Sequence, residues 1–472
     1  MIFIKKLIVN ITFIALVFSF VTAVFANSGP VFWQGYPSSD IMLIEDSSTI
    51  SVENENLVFD FSDSDNSSHT ISGKVTATYE MFNPTNELQS VHMAFPFVGR
   101  LDNLKPDDIV ITSDDNVLTY DMYIGNVVNS YGNPLQEDKE ANFDFANIVS
   151  TITDNLYTAK HFTENEKGKL YIIEVKPTTD QRINFAVDFN FDYEKTKVLT
   201  KGFNRYERDD VKTKIAAWCY EPEILEIYVL GEDIDLEINA YIDGELKEKT
   251  DLFTHRISTR EVEVRPYLME YIKNNTNGKI SGMISDNQLY NLYAKSLDEY
   301  FIKNMGFSSE HDIMAQENYE RILTLIYYVE FPQNSSKEVS VSYRTSGTMD
   351  KTETVKPLYS FDYILNPAKN WSDFKNLNIK IITPEEAPYI VKSNIELSKG
   401  ENKVYTATLT DLPEDDLSFT LYIDEKITLL DKVGGNLQRS FGYFTPLVIG
   451  AIALLIIGVI IMAVVHKRKI NT

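Results

Sequence analysis

The run Ile183-Asn-Phe185-Ala-Val187-Asp-Phe189-Asn-Phe191-Asp-Tyr193 decides the fold class. Large apolar residues alternate with small or polar ones, and a period of two describes a strand with one buried and one wet face. Runs of the same kind recur at 71–81, 91–95, 225–229, 339–343, 377–381 and 417–423, bounded by Asn, Asp, Gly and Pro. Many short strands separated by turn residues predict a mainly β protein built of tandem antiparallel, Ig-like β-sandwiches. Asp243-Gly244, between the runs 234–242 and 245–250, predicts a tight hairpin. No strand, glycine-rich loop and helix follow one another, so a nucleotide-binding parallel sheet is not expected.

A faint internal repeat extends this reading. Leu170-Tyr-Ile-Ile-Glu-Val-Lys-Pro177 precedes the strand at Ile183, and Leu325-Ile-Tyr-Tyr-Val-Glu-Phe-Pro332 precedes the strand at Val339. Downstream, Trp218 comes shortly before Leu225 and Trp371 shortly before Leu377, at nearly the same offset. The pattern predicts a duplicated sandwich with a tryptophan in each core. Between the copies the period changes. Ser285-Asp-Asn-Gln288 has capping-box form, and Leu289, Leu292, Tyr293, Leu297, Tyr300 and Phe301 follow at helical spacing. Weaker helical signals cover 267–273 and 310–321, and a second helical stretch is expected near 137–152, with Phe145, Ile148, Val149 and Ile152 on one face. Such stripes ordinarily pack on sheets; a partner-binding face near 285–303 is the alternative.

The two ends carry an address. Lys5 and Lys6 precede an apolar stretch from Leu7 to Phe25, and Ala23-Val-Phe-Ala26 has the form of a signal-peptidase site. Cleavage after Ala26 is expected, with an uncleaved anchor as the alternative. From Leu447 to Val465 the chain is apolar without one charge, and His466-Lys467-Arg468-Lys469 follows. That pattern predicts a helix crossing the bilayer, with its basic end in the cytoplasm. The expected layout is a signal peptide (1–26), a first β-sandwich (27–265) with a helical insertion near 137–152, and a helical segment (266–320). A second β-sandwich (321–440), a transmembrane helix (447–465) and a basic cytoplasmic tail (466–472) complete it. Gly450 and Gly458 lack a small residue four positions away, so the span reads as an anchor in the lipid bilayer.

Composition sets the exclusions. The 472 residues carry 69 acidic and 44 basic side chains, a formal charge of −25. The five cations at the two ends, Lys5, Lys6, Lys467, Arg468 and Lys469, leave −30 on the residues between. An acidic ectodomain argues against nucleic acid as a partner, because tracking phosphates needs clustered Lys and Arg. With 43% hydrophobic and 12% aromatic residues, the chain has material for cores and is not disordered. One cysteine allows no internal disulfide and no cysteine-built metal site.

Signatures of catalysis do not assemble. His69, His92, His161, His255 and His311 are scattered, with no zinc-hydrolase spacing, and no G-x-S-x-G elbow occurs. Cys219 sits in Ala216-Ala-Trp218-Cys219-Tyr220, which reads as a core strand rather than a nucleophile's setting. The acid pairs Asp107-Asp108, Asp114-Asp115 and Glu414-Asp415-Asp416 are adjacent in turn-like segments, and neighbours on a strand face opposite ways. Asp60, Asp63 and Asp65 lie where loop calcium could bind, yet lack the glycine and distal glutamate of an EF-hand. No catalytic, cofactor or metal residue is therefore assigned.

Two segments carry a resemblance. Val75-Thr-Ala-Thr-Tyr79-Glu-Met-Phe-Asn83-Pro84 continuing to Met93-Ala-Phe95-Pro96-Phe97 is one, and Tyr363-Ile-Leu-Asn366-Pro367-Ala-Lys-Asn-Trp371 continuing to Leu377-Asn-Ile379 is the other. They resemble an uncharacterised group of bacterial, often clostridial, exported and membrane-anchored surface proteins. The resemblance implies a setting and an architecture, without an activity. The expected function is a non-enzymatic, single-pass cell-surface protein that binds, senses, adheres or maintains the envelope, with a protein or glycan partner outside. The alternatives are a tethered, carboxylate-dependent glycan hydrolase and a subunit of a membrane complex.

Overall fold

The computed structural model describes residues 31–44, 47–64, 69–104, 109–128, 151–275 and 284–470. Three short strands come first, β1 (Phe32–Trp33), β2 (Ser38–Ser39) and β3 (Met42–Leu43). Long ones follow: β4 (Ser51–Asp60), β5 (Ser72–Asn83), β6 (Gln89–Gly99), β7 (Ile109–Ser113), β8 (Asn116–Val117) and β9 (Asp121–Val127). The middle of the chain holds β10 (Lys167–Pro177), β11 (Ile183–Asn190), β12 (Thr196–Lys201), β13 (Arg205–Asp209), β14 (Lys212–Cys219), β15 (Glu223–Gly231), β16 (Glu237–Tyr241) and β17 (Phe253–Glu263). Helices α1 (Val264–Asn275) and α2 (Asp286–Lys303), strand β18 (Phe307–Ser309) and helix α3 (Glu310–Met314) lead to β19 (Arg321–Phe331) and β20 (Ser335–Ser346). The last strands are β21 (Thr348–Asp350), β22 (Leu358–Ile364), β23 (Phe374–Ile382), β24 (Tyr389–Ser393), β25 (Ser398–Lys399), β26 (Val404–Leu409) and β27 (Leu417–Tyr422). Helices α4 (Leu429–Phe441) and α5 (Thr445–Ile470) end the chain.

The strand at Ile183 forms as its alternation requires. Phe185, Val187 and Phe189 enter a core shared with Ile173, Val175, Ile215, Ala217, Leu225 and Ile227. That core lies between a five-stranded sheet, β17-β10-β15-β12-β18, and a four-stranded one, β13-β14-β11-β16. The strand stops at Asn190 because Asp192 turns the chain, its carboxylate accepting the Glu194 N–H at 3.0 Å.

A second body is organised by an eight-stranded sheet, β25-β26-β23-β4-β5-β20-β7-β8. One part faces the sheet β3-β6-β19-β9, where Phe95 meets Tyr343 at 4.9 Å between ring centroids. Another part faces the six-stranded sheet containing β22 and β27, where Phe59 lies 5.7 Å from Tyr363 and 5.2 Å from Phe419. Among the described residues, pairing is antiparallel except for β4 with β23, β2 with β22 and β12 with β18.

The pairing departs from the expected division at 265 and 321. Strands β19 and β20 lie in the segment assigned to the second sandwich, yet they insert between strands of the first. β19 sits between β6 and β9, and β20 between β5 and β7. Residues 167–263 instead form nearly all of the sandwich around Phe185, which β18 completes at the edge beside β12. What survives of the repeat is a local crossover: β10 passes to β11, and β19 to β20, from one sheet to the facing sheet. The tryptophans differ. Trp371 is buried, whereas Trp218 is half-buried on the outer face of its sheet, under the Arg182 guanidinium at 4.2 Å. Asp243-Gly244 does not make a two-residue hairpin either. The Asp243 carboxylate gathers the N–H groups of Glu245, Lys247 and Glu248, and the loop rejoins β16 by one bridge, Tyr241 to Lys249.

The helical stripes are spent on the chain's own sheets. Leu289, Leu292, Tyr293, Leu297 and Phe301 are buried with Tyr267 and Leu268 of α1 and with Leu170, Leu199 and Tyr228 from the five-stranded sheet. The partner-binding alternative for this face therefore has no open stripe to use. The helical signal at 310–321 resolves into α3, a 3-10 turn at Ala315–Asn318 and the start of β19. Of the insertion near 137–152, residues 137–150 lie outside the described residues, as does the signal segment 1–26. Helix α5 is present over 26 residues, with its side chains described as far as Ile461. Among the residues whose side chains are described, which in α5 end at Ile461, no helix is long and apolar enough to cross a membrane.

One buried carboxylate fastens the loop after Thr151 to α2. Asp298 accepts from the Tyr157 hydroxyl at 2.9 Å, the Lys160 N–H at 2.9 Å, the His161 N–H at 3.0 Å and His161 Nδ1 at 2.7 Å. Burial alone would raise its pKa; these contacts outweigh burial and hold it below the usual range. A depressed folded-state pKa contributes stability above the unfolded carboxylate pKa, and the contribution is lost as pH falls through the folded value. Asp298→Ala leaves four donors without their acceptor and is expected to cost about 3 kcal/mol near neutrality. Urea midpoints at pH 7 and pH 3 check this: the gap to wild type should be wide at pH 7 and narrow at pH 3.

Candidate functional site

The residues flagged in the sequence do structural work. Cys219 is buried in β14, and burial pushes its thiol up to about 11, the opposite of a nucleophile's requirement. Asp114 and Asp115 take positive φ in the turn between β7 and β8, and Asp114 accepts the Glu338 N–H at 3.0 Å. Asp416 receives the N–H groups of Leu365 and Asn366 at 2.8 and 3.1 Å. Asp60 holds Ser62 through its N–H and hydroxyl at 2.9 and 2.6 Å, while Asp65, Asp107 and Asp108 lie outside the described residues. His92 stacks on Tyr328 at 4.0 Å, His161 joins Asp298, His255 stacks on Phe253, and His69 and His311 are exposed. Among the described residues, no three His, Cys, Asp or Glu side chains converge as a metal site.

An unforeseen cluster lies where the three sheets of the larger body meet. Asp40, just after β2, and Glu55, on the inner face of β4, are both fully buried. The Tyr79 hydroxyl and the Ile41 N–H donate to Asp40 Oδ1. Tyr327 from β19, Tyr343 from β20 and Tyr363 from β22 surround the pair, each feeling the Asp40 charge. Among the described residues, both Glu55 oxygens, Asp40 Oδ2 and the Tyr327 and Tyr363 hydroxyls have no protein hydrogen-bond partner. Desolvation drives the Asp40 pKa well above the carboxylate range against the Ile41 N–H. Glu55 rises likewise, by desolvation first and by the Asp40 charge second. Close burial of two acids without a cation selects the protonated form, in which a carboxyl can donate to a neighbouring oxygen.

The local sequence explains this placement. β4 carries a bulge between Val52 and Asn54, so Glu53 stays outside, bound to Lys375, while Glu55 turns inward in step with Leu57 and Phe59. Stepping back by two from Leu57 and Phe59 was the available signal. Asp40 had none, because it sits between two-residue strands without a period.

Beside the cluster a cavity of about 320 Å³ opens to the surface. Its walls include Trp33, Tyr36, Phe97 and Leu104, with Arg100, Arg344 and Glu320 as charged members, and Ser38 and Tyr343 belong to both cavity and cluster. Burial raises Glu320, and Arg100 is held by Asp102 at 2.5 Å. The roof is the segment carrying β1 and β2. Its approach depends on Gly35, where an added Cβ would lie 2.3 Å from the Ser346 carbonyl oxygen and 2.5 Å from the Gly347 carbonyl carbon. An apolar, aromatic hollow of this size with a few converging polar groups has the physical character of a small-molecule site.

The raised acids fix a pH dependence. A folded-state pKa above the unfolded value contributes stability at low pH, and that contribution is lost as pH rises from about 4 through the folded value. Glu55→Gln removes one titrating group with little change of shape. Thermal unfolding from pH 4 to pH 9 is expected to show the variant gaining on wild type as pH rises, and parallel profiles would contradict the assignment.

No family model matches the chain, and no curated protein matches it. Among solved structures, it is similar to a crystal structure described as a candidate nutrient binding protein from Legionella pneumophila, at 10% identity and a TM-score of 0.35. The match covers 88% of this chain and 76% of that one. At this score the likeness carries no argument about fold or function.

Proposed function

We propose that the chain is a surface-anchored binding protein that takes a small organic ligand in the cavity between the β1–β2 segment and the ends of β6 and β20. The observation that carries this reading is the cavity itself, with aromatic walls and charges of both signs on a protein otherwise strongly acidic. Trp33, Tyr36 and Phe97 offer flat apolar surface to the ligand's body. Arg344, which has no ion pair among the described residues, offers a cation to an anionic group, and Glu320 offers an acceptor. Tyr343 at the base couples occupancy to the buried acids behind it.

The anchor in this proposal is α5. Its 26 residues extend about 39 Å at 1.5 Å per residue, against a bilayer core of about 30 Å. Leu455, Ile456 and Ile457 are successive and each about half exposed or more, so the apolar surface runs round the helix instead of facing the sheets. The basic residues 466–469 orient the tail to the cytoplasm and the β-rich body outward.

Saturation-transfer NMR on the full chain in lipid nanodiscs, with a panel of aromatic carboxylates, amino acids and simple sugars, tests the site. At least one class should bind saturably, lose binding in Phe97→Ala, and weaken about tenfold or more in Arg344→Ala if a charge-assisted contact is lost. Binding that survives both changes would place the ligand elsewhere. Protease added to protoplasts tests the anchor: the β-rich body should be digested and the basic tail spared.

A further inference from the structure

Between the last strand and α5 lies a helix whose apolar side is largely exposed among the described residues. Leu429 and Leu430 are 81% and 82% exposed, Val433 is 55% exposed and Phe441 44%, with Phe444 beyond the helix at 67%. At about 100° per residue, Leu430, Val433, Leu437 and Phe441 fall on one stripe of α4. Monomeric proteins rarely leave such a stripe to water without a use.

The opposite side of α4 is fixed to the body by a glycine. A Cβ on Gly435 would lie 2.4 Å from the Glu353 carbonyl carbon and the Thr354 nitrogen, while Gly434, at the edge of the stripe, lies against Val355 in the same way. Only residues without a side chain let the helix touch this loop. The contact sets the rotation of α4, so its stripe points away from the sheets. Its start is fixed too, since Thr428 and Asp431 form a reciprocal capping box. Its end is joined to α5 through Gly442 at φ 50° and through the Thr445 hydroxyl, which donates to the Leu437 and Gly442 carbonyls at 3.2 and 2.7 Å.

We propose that α4 lies in the headgroup region of a phospholipid bilayer, its Leu430–Phe441 stripe sunk to the acyl boundary and Lys432 and Arg439 reaching back to phosphate. This rests on the reading of α5 as the anchor. What selects a bilayer over other occupants is continuity: three residues separate the stripe from a helix that is itself apolar and exposed. A helix with one apolar side, exposed cations and a polar back fits the physics of an interfacial helix. The glycine contact then makes α4 a rigid foot that fixes the tilt of the β-rich body over the membrane.

Spin labels on the full chain in vesicles of phosphatidylcholine and phosphatidylglycerol test this, in a Cys219→Ala background. Labels at Leu430→Cys and Val433→Cys should collide with oxygen severalfold more than with a water-soluble nickel chelate. Labels at Asn436→Cys and Arg439→Cys should show the reverse order. Equal nickel access at all four positions, on chains that resist carbonate washing, overturns the interfacial helix and leaves the anchor standing. Chains that wash off the vesicles overturn the anchor, and the proposal with it. Spin–spin broadening at Leu430→Cys would show a second copy on the stripe and overturn the bilayer as its occupant.

Discussion

Desolvation of two acids is the constraint around which the larger body is arranged. Asp40 lies between β2 and β3 and Glu55 on β4, in different sheets, and closing three sheets over them removes both from water. A lone carboxylate in such a place costs several kcal/mol, so the site holds protons and gathers tyrosines, whose hydroxyls can donate or accept. Tyr79, Tyr327, Tyr343 and Tyr363 each belong to a different strand. The cluster is therefore a polar knot that only the correct alignment of those strands can assemble, while Leu and Phe contacts around it tolerate small shifts.

Asp298 shows the alternative solution with the same side chain. It is as buried as Asp40, yet four donors converge on it and it remains ionised. The two acids thus respond oppositely to pH: acidification weakens the loop held by Asp298 and favours the centre that holds Asp40. Near neutrality the chain works between these tendencies, with its cavity bordering the acid-favoured side.

Where the sequence was legible, a period carried the information. The alternation from Ile183 and the helical stripe from Leu289 each reported a buried face, and both elements formed there. Sandwich composition was harder, because alternation says which side of a strand is buried without saying what pairs with it. Thus β19 and β20 read correctly as strands but were grouped with their sequence neighbours instead of β5, β6, β7 and β9. Trp218 misled because a large aromatic can also lie on an outer face beneath an arginine. The cavity was invisible for a related reason: its walls come from segments around residues 33–38, 97–104 and 343–346, and no local pattern links them.

The parallel pairing of β4 with β23 has a consequence in time. It is stitched at its start by Glu53 and Lys375, 322 positions apart. At synthesis rates of roughly 5–20 residues per second, β4 waits tens of seconds for its neighbour to exist. Until then one long edge of the central sheet stands open, with the inner Glu55 side uncovered. An acid in that position keeps the inner face of the waiting strand, with Leu57 and Phe59, from being purely apolar, and so discourages pairing with another chain. The residue that burdens the finished core thereby shields the unfinished one.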